Sequence, residues 1–324
     1  MNTRLNGRRP WGVLFLMALY SCYAGEMPRK IEVHGHRGAR ASRPENTIPA
    51  FEFAIAAGAD ALELDMAVTK DNVIVVSHDP VLHPPVCTGP QPRAIIHNLT
   101  LAEVKQWDCG STRNPEFATQ QTVPGTRMPT LDEVFALAKK GTFKFNIETK
   151  SIPKTPTEAQ INAALKHAGI ALDSPVAADT RATMLQVGPD VTPPPDEFAR
   201  LVLEKIRKYH LEKRVVLQSF DFRTLHAMKK IAPEIKLSAL YGGPPRSFVE
   251  IAKEAGADIV SPVYPLVTPE QVSAAHSAGL EVLPWTANKP EDWDRLIRAG
   301  VDGIITDDPA GLVEHLKRAG ETKP

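Results

Sequence analysis

From residue 30 onward the chain alternates between two hydrophobic rhythms. Short apolar, β-rich runs predict strands at 31–35, 60–66, 73–77, 143–148, 214–218, 236–240, 257–261, 280–285 and 302–306. Helical patterns lie between them, at 47–57, 131–139, 196–209, 221–231, 246–255, 268–278, 290–299 and 309–318. Such alternation points to a parallel sheet, and many of the strand runs are apolar at nearly every position, as expected when both faces are covered. Nine strands are one too many for an eight-stranded barrel. Only Thr69-Lys70-Asp71-Asn72 separates the run 73–77 from 60–66, which is turn chemistry with no room for a crossover helix. That run is therefore expected as a hairpin partner of the second strand. The eight remaining units predict an α/β fold, a (β/α)8 TIM-type barrel with one extra hairpin strand.

Two segments break the rhythm. Residues 80–127 are rich in Pro, Gly, Gln and Thr, and residues 151–195 carry the run Pro193-Pro194-Pro195. Both follow a strand, so both are expected as long loops at the C-terminal mouth of the barrel, where active sites are built. Ahead of the first strand, residues 1–24 read as an export signal: basic Arg4, Arg8 and Arg9, an apolar stretch from Trp11 to Tyr20, then Cys22-Tyr23-Ala24 as a cleavage region. A single barrel domain then spans 25–324. Arg8-Arg9 as a twin-arginine signal fits its flanks poorly, and the bulky Tyr20 argues against lipoprotein anchoring at Cys22. The apolar stretch is shorter than the roughly 20 residues a membrane helix needs. The expectation is a periplasmic or secreted protein with no stable membrane insertion once the signal is removed.

Composition changes this picture little. Of 324 residues 43% are hydrophobic and 23% charged, as in ordinary globular proteins, and 38 basic residues balance 38 acidic ones. No basic excess points to nucleic acid, so a small molecule is the expected partner. Oligomeric state is not readable. Export leaves Cys87 and Cys109 in an oxidising compartment, as a disulfide or as two separate buried thiols.

Candidate chemistry gathers at predicted strand ends. His34 and His36 alternate onto one face of the first strand, and Arg37 follows with a planar fork suited to phosphate. In Pro44-Glu45-Asn46-Thr47, Asn46 or Thr47 reads as a helix cap, and Glu45 could bond a neighbouring arginine. Glu63 and Asp65, two apart on a strand, project to the same side. Buried carboxylates need a counter-charge, and oxygen-only ligands suit a hard cation such as Mg²⁺ or Ca²⁺; a plain salt bridge is the alternative. Glu148 would complete a three-carboxylate site, with Lys150 beside it to neutralise phosphate. His78 ends the hairpin strand, and Asp79 is either its orienting partner or a turn residue. Gln218 and Trp285 could line the pocket, while Asp307 reads as the cap of the last helix before Pro309.

Taken in order, His36-Arg37-Gly38, Pro44-Glu45-Asn46-Thr47, Glu63-Leu64-Asp65, His78-Asp79, Glu148-Thr149-Lys150, Gln218-Ser219-Phe220, Trp285-Thr286 and Asp302-Gly303-Ile304-Ile305-Thr306-Asp307 resemble the glycerophosphodiester phosphodiesterase family from about residue 31 to 317. The resemblance implies a TIM-type barrel, one divalent cation, Ca²⁺ or Mg²⁺, and release of glycerol 3-phosphate plus an alcohol. Carried over by position, Glu63, Asp65 and Glu148 would hold the metal. His36 and His78 would be the general acid and base, and Arg37 and Lys150 would bind the phosphate. The segment 151–195 departs from the compact members, which leaves the alcohol open. Ala287 stands where the family usually has Val, a change expected to be neutral. Rival readings are a phospholipase D-like hydrolase of lysophospholipids or sphingolipids, a phosphoinositide-cleaving phospholipase C, a non-catalytic periplasmic phosphodiester-binding protein and a barrel aldolase. An apolar lip within 80–127 would favour the first. The glutamate beside Lys150 argues against the last.

Overall fold

The computed structural model describes residues 30–152, 156–159, 161–162, 171–185 and 188–320; the export signal expected at 1–24 and parts of 151–195 lie outside them. The strands are β1 (Glu32–Gly35), β2 (Ala61–Val68), β3 (Ile74–Val76), β4 (Val81–Leu82), β5 (Ala94–Ile95), β6 (Lys144–Thr149), β7 (Val215–Ser219), β8 (Lys236–Tyr241), β9 (Ile259–Pro262), β10 (Glu281–Val282) and β11 (Gly303–Thr306). The helices are α1 (Ile48–Ala57), α2 (Leu101–Val104), α3 (Leu131–Phe135), α4 (Pro175–Met184), α5 (Pro195–Lys208), α6 (Phe222–Ile231), α7 (Phe248–Ala255), α8 (Pro269–Ser277), α9 (Pro290–Ala299) and α10 (Pro309–Arg318). The expected helix 131–139 is α-helical only to Phe135 and tightens into a 3₁₀ turn over Ala136–Lys140, a common way for a last turn to end.

Eight parallel strands form the (β/α)8 barrel, in the order β1, β2, β6, β7, β8, β9, β10, β11, with β11 paired back onto β1. The seam between β10 and β11 is bridged by Asp302 N–H to Val282 O at 3.0 Å, Ile305 N–H to Pro284 O at 2.9 Å and Ala287 N–H to Ile305 O at 3.1 Å. β3 runs antiparallel to β2, pairing Met66 with Val76 and Val68 with Ile74, so the ninth strand is the expected hairpin partner.

The strands are buried on both faces, and the two faces differ. Leu62, Leu64, Met66, Phe145, Ile147 and Leu217 join the main core with Phe51, Phe135 and Phe198 of the surrounding helices. Alternation puts Glu63, Asp65, Asn146, Glu148 and Gln218 on the opposite, barrel-lumen face, and all five are buried. Lower in the lumen Val216, Ile259, Leu283 and Ile305 form a small apolar layer.

The segment 80–127 is more ordered than a loop. β4 pairs with β5, and Leu82, Ile96, Val104, Trp107 and Met128 form a separate small core against Ala67 and Val75 of the β2–β3 hairpin. Trp107 is 1% exposed. A Cβ at Gly89 would lie 2.3 Å from its indole, so glycine is required where the chain crosses that ring. Cys87 and Cys109 are joined by a disulfide across a sequence separation of 22, which decides between the two readings of the cysteines. Closing a loop of this size is worth about 3 kcal/mol through the unfolded state. The Cys87→Ser/Cys109→Ser pair should therefore expose the segment 80–127 to proteolysis before the barrel unfolds. Equal nicking rates in variant and wild type would show that the staple contributes nothing.

Candidate active site

The loop leaving β1 brings His36, Arg37, Arg40, Glu45 and Asn46 to the barrel mouth, and its shape follows from left-handed positions that include two non-glycine residues, Arg37 at φ 50° and Asn46 at φ 56°. Arg37 N–H donates to Glu63 Oε2 at 2.8 Å, and Asn46 N–H returns to Arg37 O at 3.0 Å, closing the loop on itself. Gly38 has φ +86°, and a Cβ there would lie 2.7 Å from the Ala50 carbonyl carbon, so the loop can pass α1 only with glycine. Thr47 alone caps α1, accepting from Ala50 N–H. Asn46, also read as a cap, instead donates from Nδ2 to Asp65 Oδ2 at 2.9 Å.

β2 and β6 lie side by side with Asp65 opposite Glu148. Ligand oxygens of Glu63, Asp65 and Glu148 all fall within 4.8 Å of one another, and the three residues are 2%, 1% and 6% exposed. Lys150 Nζ lies 2.7 Å from Glu148 Oε1 and 3.0 Å from Asp65 Oδ1. Arg37 Nη1 bonds Glu45 Oε1 at 2.7 Å while its Nε lies 3.4 Å from Asp65 Oδ2. Gln218 donates to Glu63 Oε1 at 2.8 Å.

These contacts divide the compensation unequally. Burial, then the charges of Asp65 and Glu148, push the Glu63 carboxyl well above its ordinary range. Burial also raises Glu148, against the pull of Lys150. Asp65 is held far below the ordinary range, because Lys150, His78 and Arg37 together outweigh its burial. Asp65 Oδ1 is buried without a hydrogen bond of acceptable geometry, despite its nearness to Lys150. An all-oxygen set with one orphaned carboxylate oxygen and mutual repulsion fits a hard divalent cation.

Each histidine has a carboxylate behind it. His36 Nδ1 donates to Asp307 Oδ1 at 2.5 Å, a tautomer assigned from the network. Burial lowers His36, and Arg37 and Arg40 reinforce this against the opposite pull of Asp307, so the ring is neutral and its Nε2 is left for chemistry. Asp307 is held down at about 2: burial would raise it, but His36, Arg40 and the Asn288 side chain outweigh that. His78 Nδ1 pairs with Asp79 Oδ1 at 2.8 Å, and Asp79 also takes His83 Nε2 at 3.2 Å.

A cavity of about 210 Å³ is lined by His36, Arg37, Glu63, His78, Glu148, Lys150, Gln218 and Trp285; Asp65 sits directly behind its wall. Every residue singled out in the sequence for metal, phosphate or proton transfer is thus at one mouth. His34 is not. It lies deeper in the strand, 3.3 Å from Glu32, and lines a cavity at the opposite end with Lys144 and Glu281. Asp307 does not cap the last helix. Asp308 does, accepting from Gly311 N–H. Of two adjacent acids before a proline, sequence alone gives no means of telling cap from site residue. Arg40 and Phe220 also line the cavity and were not singled out. Arg40 carried a signal, a second guanidinium three residues after Arg37 on the same loop.

Against known proteins, the profile of the Glycerophosphoryl diester phosphodiesterase family matches residues 36–188 and 187–311. A glycerophosphodiester phosphodiesterase of Caldanaerobacter subterraneus subsp. tengcongensis is 33% identical over 90% of this chain and 100% of its own length. A Silicibacter pomeroyi DSS-3 structure, provisionally assigned as a glycerophosphoryl diester phosphodiesterase, superposes with TM-score 0.74 at 32% identity, over 91% of this chain and 95% of the other. An Oleispira antarctica phosphodiesterase solved with sn-glycerol-3-phosphate shares the fold, with TM-score 0.66 at 22% identity over 89% and 97% of the two chains.

Asp307→Asn keeps the shape of the His36 partner and removes its charge. The expected result is a fall in kcat of about 10²–10⁴-fold with KM changed little, since tautomer and charge support are lost together. An unchanged kcat would place Asp307 outside the chemistry. Because Asp307 is held at about 2 in the fold, below the ordinary carboxylate value of about 4, its stabilisation is full above pH ~4 and fades as pH falls toward 2. The same variant should therefore show a shallower acid loss of stability across that window.

Proposed function

The chain belongs to the glycerophosphoryl diester phosphodiesterase family and is a phosphoric diester hydrolase, and from this we propose that it cleaves glycerophosphodiesters to glycerol 3-phosphate and an alcohol, with one divalent cation and with His36 and His78 dividing the proton transfers. The observation that carries the reading is that Glu63, Glu148, Arg37, Lys150, His36 and His78 all line one 210 Å³ cavity, with Asp65 completing the carboxylate cluster and Asp307 and Asp79 bonded to the two histidines behind them.

In this reading Glu63, Asp65 and Glu148 hold Ca²⁺ or Mg²⁺. When bound, the ion polarises the non-bridging phosphate oxygens and favours an ionised attacking hydroxyl. Arg37 and Lys150 anchor the phosphate. Gln218 orients Glu63, and Trp285 walls the pocket. Neutral His36 takes the proton of the substrate's own glycerol hydroxyl through Nε2 as that oxygen attacks phosphorus. His78 gives its proton to the departing alcohol oxygen as the bond from phosphorus breaks. Water then opens the cyclic phosphate, its proton passing to His78, while protonated His36 returns a proton to the ring oxygen. Both histidines end as they began.

The lipid-cleaving rival asked for an apolar lip in residues 80–127. That segment buries Leu82, Ile96, Val104 and Trp107 in its own core instead. We propose that the protein is exported through its first 24 residues, a reading supported by the basic-then-apolar order of that segment and by the Cys87–Cys109 bond, which suits an oxidising compartment. Among the described residues no helix is long and apolar enough to cross a membrane.

The test is release of glycerol 3-phosphate from glycerophosphocholine. EDTA should abolish it and added Ca²⁺ or Mg²⁺ restore it. His36→Ala and His78→Ala should each lower kcat by about 10²–10⁴-fold. Full activity in EDTA would remove the cation from the reading, and wild-type rates in both alanine variants would remove the histidine pair.

A further inference from the structure

The catalytic cavity does not end at its aromatic wall. Phe220, Leu240 and Trp285 line it on one side and on the other line a wider groove of about 780 Å³. A 210 Å³ cavity that must also receive a cation has room for glycerol and phosphate but little more. The arm of the substrate that differs between glycerophosphodiesters must therefore continue beyond that wall. Resting on the glycerophosphodiesterase reading, we infer that this groove holds the departing alcohol, and that its chemistry selects a quaternary ammonium alcohol over a primary ammonium one.

The groove offers ring faces and no unpaired carboxylate. Phe220 and Trp285 meet edge to face, 5.4 Å between centroids with planes 89° apart. Phe220 is 49% exposed, unusual for so large an apolar side chain. The indole N–H of Trp285 is turned away, donating to Ser261 O at 2.8 Å, so the apolar edge of the ring faces Gly242. A Cβ on Gly242 would sit 3.4 Å from that edge, and the glycine keeps the space open. Tyr241 adds no free ring face: the Arg246 guanidinium lies over it, 6.0 Å from the centroid, and its hydroxyl donates to Pro244 O at 2.6 Å, so Phe220 and Trp285 are the rings open to a ligand.

The groove's two acids are already engaged. Asp221 accepts from Arg223 Nη2 at 2.7 Å and from Ser151 Oγ at 2.7 Å, and Glu254 from Arg246 Nη2 at 2.9 Å. A primary ammonium entering here would give up its hydration for no unpaired acceptor. A trimethylammonium donates no hydrogen bonds, so it loses nothing of that kind and gains contact with the rings. Such contact is worth about 0.5–2 kcal/mol, depending on how fully the site is desolvated.

The experiment compares kcat/KM for glycerophosphocholine, glycerophosphoethanolamine and the neutral 3,3-dimethylbutyl isostere of the choline ester, in the metal-loaded protein. Wild type should favour the choline diester over the ethanolamine one by about tenfold, and over the isostere by a smaller factor. Phe220→Ala removes one ring and Gly242→Leu fills the space beside Trp285; both positions face solvent. In both variants the choline-to-ethanolamine ratio should fall to within about twofold. A wild-type ratio at or below one overturns the inference while the diesterase reading stands. So does a ratio that survives both substitutions. Equal use of the isostere shows that shape alone is read and overturns the charge-selective part. No cleavage of any of the three diesters with any metal overturns the diesterase reading and this inference together.

Discussion

Three carboxylates share the buried mouth of the barrel, and the rest of the site is arranged around the cost of keeping them there. Two unit charges 4 Å apart repel by about 4 kcal/mol at the effective dielectric typical of protein sites. Glu63, Asp65 and Glu148 make three such pairs within 4.8 Å. Left alone, that would rival the whole stability of an ordinary domain, about 5–15 kcal/mol. Lys150 sits between Glu148 and Asp65, and Arg37 against Asp65 and Glu45, yet Glu63 is still pushed well above its ordinary range. The buried carboxylates outweigh the cations beside them, and that excess of negative charge is what the proposed divalent cation would balance.

The same constraint explains how the surrounding loops are held. Arg37 can face the carboxylates only because its own backbone N–H grips Glu63 from a left-handed conformation. The outer part of that loop is tied to the disulfide-closed segment: Gln120 Nε2 donates to Arg40 O at 2.6 Å and to Arg43 O at 3.1 Å, and Gln121 N–H to Ser42 O at 3.0 Å. Arg40 lies over the Phe117 ring at 4.9 Å. The segment that interrupts the βα rhythm thus acts as an outer bracket for residues presenting His36 and Arg37. Its small core around Trp107 makes that bracket firm.

Much of this was legible in the sequence, for physical reasons. Strand alternation has a period of two, so Glu63 with Asp65 and Glu148 with Lys150 had to share a face once their strands were recognised. The four-residue turn at Thr69–Asn72 could only be a hairpin. What could not be read depends on contacts between distant segments. Asp307 lies 271 positions from the histidine it supports, and nothing local separates it from Asp308. Asn46 looked like a cap because Asn often is one; its carboxamide is used on Asp65, and Thr47 caps instead. His34 and His36 are two apart, but the strand ends between them, so one lines the lower lumen and the other the mouth. The segment 80–127 looked like a polar loop because its apolar residues are scattered along the chain and meet only in the folded structure, beside the disulfide.

If Glu63, Asp65 and Glu148 form a cation site, the bound ion relieves their charge crowding. Thermal unfolding of the metal-free protein, titrated with Ca²⁺ and with Mg²⁺, tests it without reference to catalysis. An ion that binds only the folded state stabilises it by about 2.7 kcal/mol at a hundred times its dissociation constant. The Tm of wild type should climb with at least one of the two ions and that of Glu63→Gln/Glu148→Gln should not, while the metal-free double variant should be at least as stable as metal-free wild type. A wild-type Tm indifferent to both ions, or a double variant that responds as wild type does, would contradict a cation site at these three carboxylates.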